Sequence, residues 1–144
     1  MIFIIVILIL SLDQFTKFLV NNKLSLYQTI PVIKEVFYIS LVHNRGAAFG
    51  LFKNQAYLFI LTALFAIILI YFSLKESRKV SLYSASLGFI LAGTIGNLID
   101  RLRFGYVIDF LDFRIWPVFN IADSAITIGA IVLGWCIIFK KDAS

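Results

Sequence analysis

The chain has 144 residues, of which 61% are hydrophobic and 15% are charged, and its formal net charge is +5. A soluble domain carries roughly a quarter of charged residues, so this composition and the mean hydropathy of +0.97 exclude an ordinary soluble protein. The length predicts one domain over residues 1–144. Positive charge in so apolar a chain is typical of residues that flank membrane helices, so we predict contact with membrane lipids and none with nucleic acid.

The first apolar segment predicts a transmembrane helix over about residues 2–20. We expect this helix to be retained, because the apolar run has no basic start and LDQFTK replaces a signal-peptide cleavage site. Its Asp13 and Lys17 stand at i and i+4 in the favoured acid-before-base order. We predict that they form a structural ion pair, with the lysine side chain extending outward to the membrane surface.

The following segment, about residues 21–54, is predicted to lie outside the cytoplasm. Its stretch PVIKEVFYISLVHN, residues 31–44, is rich in β-branched and aromatic residues around a Lys34-Glu35 break. This pattern indicates a short hairpin or small sheet lying on the membrane. The stretch NRGAAFG follows at 44–50, where Gly46 and Gly50 allow tight backbone turns. Such a platform would suit an extended peptide.

Three more transmembrane helices are predicted at about 55–74, 80–100 and 121–139, because a helix of about 20 apolar residues spans a bilayer. The third carries a stripe of small residues that favours close helix packing, namely Ala85, Gly88, Ala92 and Gly96. The single cysteine, Cys136, permits no disulfide within the chain and is interpreted as a packing residue. The single histidine, His43, excludes a site built from several histidines.

Basic residues are denser at 75–79 and 140–141 than in the other connections. This distribution predicts both termini in the cytoplasm and the segments 21–54 and about 101–120 outside. In that orientation three helices place acids in the outer half of the membrane, namely Asp13, Asp100 and Asp123. Ionisable groups at such depth usually mark a functional site or an internal pair.

The acids allow more than one interpretation. Asp123 could be the N-cap of the fourth helix or half of a catalytic pair with Asp109. Two carboxyl groups in contact would share a proton and could activate water to hydrolyse an amide, but spacing leaves their contact open. We expect Asp112 to be solvated. The third helix places Asn97, Asp100 and Arg101 on one face, where scaffold and substrate-binding roles are equally open.

The sequence resembles the bacterial lipoprotein signal peptidases, also called signal peptidase II. The resemblance covers essentially the whole chain and rests on five blocks in order: LDQFTK at 12–17, NRGAAFG at 44–50, GTIGNLIDR at 93–101, VIDF at 107–110 and FNIADS at 119–124. It implies a mainly α-helical membrane protein of four transmembrane helices with a small extracytoplasmic β-cradle. It also implies an aspartic endopeptidase of the bacterial inner membrane that cleaves diacylglyceryl-modified prolipoproteins just before the lipidated cysteine.

By the same resemblance the catalytic pair is Asp109 and Asp123, and Asp13 and Lys17 are structural candidates. The residues implied to bind substrate or support the pair are Asn44, Arg45, Gly46, Asn97, Asp100, Arg101, Asn120 and Ala122. We expect a monomer, and hydrolysis by an aspartate pair needs no metal or organic cofactor. The resemblance also implies inhibition by globomycin-type compounds. The alternatives are a four-helix transporter whose acids couple to protons and an assembly subunit whose acids are only structural.

Overall fold

A computed structural model describes residues 2–46, 55–76 and 81–139. Within these ranges lie four helices: α1 (Ile2–Lys23), α2 (Ala56–Glu76), α3 (Leu82–Phe104) and α4 (Ile121–Phe139). Each is long and apolar enough to cross a membrane, which confirms the predicted helices, although α1 and α3 extend a few residues further at their ends. Several residues named above from the sequence lie outside the described ranges, namely Gly50, Ser77, Arg78, Lys79, Val80, Lys140 and Lys141.

Helix α3 lies at the centre of the bundle and packs against the other three helices. Small residues on α3 allow the neighbouring helices to approach it closely. A Cβ atom on Gly88 would lie 3.3 Å from Ile2 of α1, and one on Gly93 would collide with the carbonyl oxygen of Ala122 in α4. The predicted small-residue stripe is therefore a packing surface, and Gly93 beside it brings the start of α4 against α3.

The chain reverses sharply after α3. Gly105 adopts a left-handed conformation with φ of 76°, and its N–H donates to the carbonyl oxygen of Arg101. This geometry is typical of a glycine that ends a helix, because a side chain would be strained there. The reversal directs the next residues back across the end of the bundle.

A three-stranded antiparallel sheet covers that end, in the order β1 (Thr29–Ile33), β2 (Phe37–Asn44) and β3 (Val107–Asp112). The predicted hairpin is confirmed, with Glu35 at a positive φ of 67° in the turn. The third strand was not predicted, since it pairs with residues far away in the sequence. Its register places Asp109 opposite Val42 and Val107 opposite Asn44.

The expectation that Asp112 is solvated is wrong. Its side chain is buried, with 6% of its surface exposed. The Ser40 hydroxyl on β2 donates to Asp112 Oδ2 at 2.7 Å, and the backbone N–H of Arg114 donates to Oδ1 at 2.9 Å. Pairing of β3 with β2 supplies these donors, which the local sequence could not reveal.

Candidate active site

Two carboxyl groups from different elements face one cavity of about 330 Å³. Asp109 lies on β3 with 1% of its surface exposed, and Asp123 lies in the first turn of α4, half-buried. Asn120 contacts both. Its side-chain Nδ2 donates to Asp109 Oδ1 at 2.7 Å, and its backbone N–H donates to Asp123 Oδ2 at 3.3 Å. The fold therefore places both acids on one cavity, linked through Asn120.

The N-cap of α4 is Asn120 rather than Asp123. Asn120 Oδ1 accepts the backbone N–H of Asp123 at 2.8 Å while its own N–H reaches back to Asp123 Oδ2. This reciprocal pattern is that of a capping box, in which the cap and the third helical residue satisfy each other. Asp123 Oδ1 accepts Asn97 Nδ2 at 2.7 Å. Asp123 thus completes the capping box of α4 and also lines the cavity.

Asp109 is held by amide donors on both oxygens. Besides Asn120, Asn44 Nδ2 donates to Asp109 Oδ2 at 2.8 Å. The N–H of Gly46 donates to Asn44 Oδ1 at 2.9 Å and so directs the Asn44 amide nitrogen toward the carboxyl group. Burial, followed by the negative charge of Asp123, raises the pKa of Asp109 to about 7, and these two effects outweigh the opposing hydrogen bonds from Asn44 and Asn120. Near neutral pH the pair can therefore retain one proton.

The predicted ion pair of α1 is present, but the predicted direction of the lysine is wrong. Lys17 Nζ lies 2.9 Å from Asp13 Oδ2, yet its side chain is only 2% exposed. It points into the bundle because α3 offers two further acceptors, Asp100 Oδ2 at 2.9 Å and Asn97 Oδ1 at 3.1 Å. Each proton of the ammonium group has an acceptor within hydrogen-bonding distance.

The two acids around this lysine also anchor the segments that carry the aspartate pair. Asp13 Oδ1 accepts the backbone N–H of Ala122 at 2.9 Å. Asp100 Oδ2 accepts the backbone N–H of Ile108 at 3.1 Å. Ala122 and Ile108 are the residues directly before Asp123 and Asp109. A single buried cluster thus fixes both chain segments.

Gln14 belongs to this cluster, although no role for it was predicted from the sequence. Its Nε2 lies 3.1 Å from both Asp13 Oδ2 and Asp100 Oδ1, and 3.3 Å from the carbonyl oxygen of Gly96. It therefore links α1 to α3 beside Lys17. The available signal was its position between two ionisable residues in an otherwise apolar helix.

The remaining predicted residues divide into those that line the cavity and those that do not. Asn44, Gly46, Asn97 and Arg101 line it, and the Arg101 guanidinium carbon lies 4.7 Å from the Phe59 ring centroid. Ala122, Asp100 and Asn120 are buried behind it. Arg45 is exposed and is not among the cavity residues that the structure describes. The rest of the lining comes from α2, α4, β3 and the segment before α4, namely Phe59, Val107, Trp116, Pro117, Val118, Phe119, Ile126 and Thr127.

These features define a multi-pass membrane protein with an aspartate pair in a cavity at the end of the bundle that the sheet covers. Residues 5–139 match the family described as signal peptidase (SPase) II, and the chain belongs to that family. It is a peptidase family, so the transporter and assembly-subunit alternatives are not favoured.

Curated relatives and solved structures agree with this assignment. The chain is 47% identical to the lipoprotein signal peptidase of Halothermothrix orenii, with 92% of each chain covered. It is 50% identical to the lipoprotein signal peptidase of Caldanaerobacter subterraneus subsp. tengcongensis, with 95% of each chain covered. One solved structure is described as a bacterial membrane enzyme determined by the in meso method at 2.3 Å resolution. It superposes on this chain with a TM-score of 0.91 at 28% identity, and the match covers 99% of this chain and 92% of that one. The chain is thus similar to bacterial membrane enzymes over nearly its whole length.

Proposed function

We propose that the protein is an aspartic endopeptidase that removes signal peptides from prolipoproteins, cleaving before a cysteine that carries diacylglycerol. The observation that carries the proposal is the pair Asp109 and Asp123, which line one cavity and both accept hydrogen bonds from Asn120. Membership of the signal peptidase II family supports the reaction class. The name of the relatives, lipoprotein signal peptidase, supports the substrate class.

In the proposed mechanism the more deeply buried Asp109 holds the shared proton and Asp123 is ionised. Asp123 takes a proton from a water molecule as the water oxygen attacks the scissile carbonyl carbon. Asp109 donates its proton to the carbonyl oxygen, which gives a neutral tetrahedral diol. Asp123 then protonates the leaving nitrogen as the C–N bond breaks, and a diol hydroxyl returns its proton to Asp109. The pair ends the cycle as it began, and no cofactor takes part in these steps.

The surroundings of the pair support a lipid-bearing substrate. A second groove of about 550 Å³ adjoins Asp123, and its walls are mainly apolar. Its large side chains come from the segment before α4 and from α4 itself, namely Phe113, Ile115, Trp116, Phe119 and Ile128. An apolar groove that opens beside the reacting groups suits acyl chains, since burying them is favourable in proportion to their area.

We propose that both termini face the cytoplasm of a bacterial inner membrane and that the sheet and cavity face outward. The density of basic residues along the sequence at 75–79 and 140–141 supports this orientation. A substrate whose signal peptide enters from the membrane would then present its scissile bond at the outer surface. Action as a monomer and inhibition by globomycin-type compounds belong to the same proposal, and the second rests on family membership.

The decisive experiment compares cleavage of a diacylated prolipoprotein by purified wild type, Asp109→Asn and Asp123→Asn. We expect each variant to lose activity by about a thousandfold or more, because general acid–base groups contribute on this scale. Thermal melting in detergent shows whether each variant is folded. A folded variant that cleaves at near the wild-type rate would refute the assignment of that residue.

Asp112→Asn is the matched control, since Asp112 is a buried acid on the same strand that does not line the cavity. We expect this variant to retain cleavage to within a few-fold, whereas its melting temperature falls because the contact with Ser40 is weakened. The same prolipoprotein without diacylglycerol tests the substrate class. Equal cleavage of the modified and unmodified substrates would contradict the lipid requirement.

A further inference from the structure

We propose that Lys17 is a positioning residue of the catalytic pair, acting through the side-chain amide of Asn97 and through the two acids that hold the segments of Asp109 and Asp123. The inference rests on the proposed peptidase function and assigns Lys17 a part in it beyond that of an ion pair within α1. The route from Lys17 to Asp123 passes through one side chain, that of Asn97. Lys17 Nζ contacts Asn97 Oδ1 at 3.1 Å, and Asn97 Nδ2 contacts Asp123 Oδ1 at 2.7 Å.

The ammonium group determines which way the Asn97 amide faces. A lysine side chain only donates hydrogen bonds, so it requires the carbonyl oxygen of Asn97 on its side. The amide nitrogen must then face Asp123, where it donates to a carboxylate. Asn120 Nδ2 lies 3.2 Å from the same Asn97 oxygen and supports this orientation. Without the lysine charge the amide can rotate and present its oxygen to the carboxylate, which is repulsive.

The second route runs through the backbone. Lys17 bridges Asp13 and Asp100 at 2.9 Å each, and these acids accept the N–H groups of Ala122 and Ile108. The positions of α4 and β3 relative to each other are therefore set by groups that the lysine holds together. Displacement of reacting groups by about 1 Å can cost on the order of a hundredfold in rate, so such a cluster can govern turnover without contacting substrate.

The charges near the pair come from two elements other than β3 and α4, the elements that carry the pair. They are Asp13 and Lys17 on α1, and Asp100 and Arg101 on α3. The positive charge of Lys17 lowers the pKa of Asp109. Removal of that charge therefore makes ionisation within the pair harder and displaces the pH profile of cleavage upward, an effect that a purely structural lysine would not produce.

The test measures kcat, KM and the pH profile for cleavage of a diacylated prolipoprotein by wild type and Lys17→Met, which is similar in length and lacks the charge. We expect kcat to fall at least about tenfold with little change in KM, and the profile to move upward by about one pH unit. Lys23→Met is the matched control, since Lys23 is an exposed lysine at the end of the same helix. It changes the net charge equally and should leave kcat and the profile as in wild type.

Lys17→Met leaves two buried acids without their cation and could fail to fold, so the double variant Lys17→Met with Asp100→Asn removes one charge of each sign. We expect it to fold and still to lose at least about tenfold in kcat, because the Asn97 amide lacks its ammonium partner. A folded single or double variant with wild-type kcat would overturn the inference. Failure of both to fold would also overturn it, because Lys17 would then serve the fold alone. Absence of cleavage by wild type would instead refute the proposed function.

Discussion

The side-chain nitrogen of Asn120 donates to Asp109 Oδ1 at 2.7 Å. The same residue accepts the backbone N–H of Asp123 through Oδ1 at 2.8 Å and so begins α4. One buried asparagine therefore joins the strand that carries one acid to the helix that carries the other. Its two functions, capping and donation to Asp109, depend on different atoms of the amide, so they can be separated by substitution.

Asn120→Ser should separate the capping of α4 from the donation to Asp109. A serine hydroxyl is also a favoured N-cap, but it is too short to replace the donation to Asp109. We expect Asn120→Ser to melt near the wild-type temperature and to lose cleavage by about tenfold or more. Asn120→Ala should lose cleavage and also about 1 kcal/mol of stability through the missing cap. Full cleavage by a folded Asn120→Ala would remove Asn120 from the site.

Cleavage should decline as the pH rises above neutrality. The proposed mechanism needs a protonated Asp109, whose pKa is raised to about 7 by burial and by the charge of Asp123. The basic limb of kcat/KM should therefore lie near pH 7, reporting the pair rather than one isolated group. The measurement is a rate profile across neutral pH with the Asp112→Asn control beside it. Constant activity into strongly basic solution would contradict the role of Asp109 as the acid.

The raised pKa of Asp109 also predicts how the stability of the fold depends on pH. The pKa of Asp109 rises from 3.8 to about 7 on folding, so the folded state binds the proton more tightly. Its stabilising contribution is complete below about pH 4 and is lost as the pH rises through 7. We expect the melting temperature of wild type in detergent to fall over this window, whereas Asp109→Asn should lack this component. Identical pH dependence of the two proteins would show that Asp109 titrates normally.

The sequence predicted the elements better than their contacts. Long charge-free stretches made the helices visible, and the β-branched run around Lys34-Glu35 marked the hairpin. The aspartate pair was identified by resemblance, since spacing alone allowed Asp123 to be a simple cap. The inward direction of Lys17 was missed because its decisive partners, Asp100 and Asn97, lie on another helix. Burial of Asp112 was missed for the same reason, as its partner Ser40 lies on a distant strand.

Gly93 should tolerate no side chain. A Cβ atom there would collide with the carbonyl oxygen of Ala122, the residue before Asp123. We expect Gly93→Ala to cost about 1–3 kcal/mol through overpacking and to lower kcat, because α4 must move. Gly134→Ala is the matched control in α4, where the added atom meets nothing within 4 Å. Melting curves and cleavage rates distinguish the two, and a Gly93→Ala protein that behaves like Gly134→Ala would contradict the close approach.

The proposed orientation can be tested with the chain's own cysteine removed. Cys136 is the single cysteine and is buried, so Cys136→Ala provides a background without reactive thiols. Lys34→Cys then places a thiol in the exposed turn between β1 and β2, and Lys75→Cys places one near the end of α2, at the opposite end of the bundle. A membrane-impermeant maleimide added to spheroplasts should label position 34 and reach position 75 only after lysis. The reverse pattern would place the sheet and the aspartate pair in the cytoplasm, where a diacylated signal peptide arriving from the outer surface could not be cut.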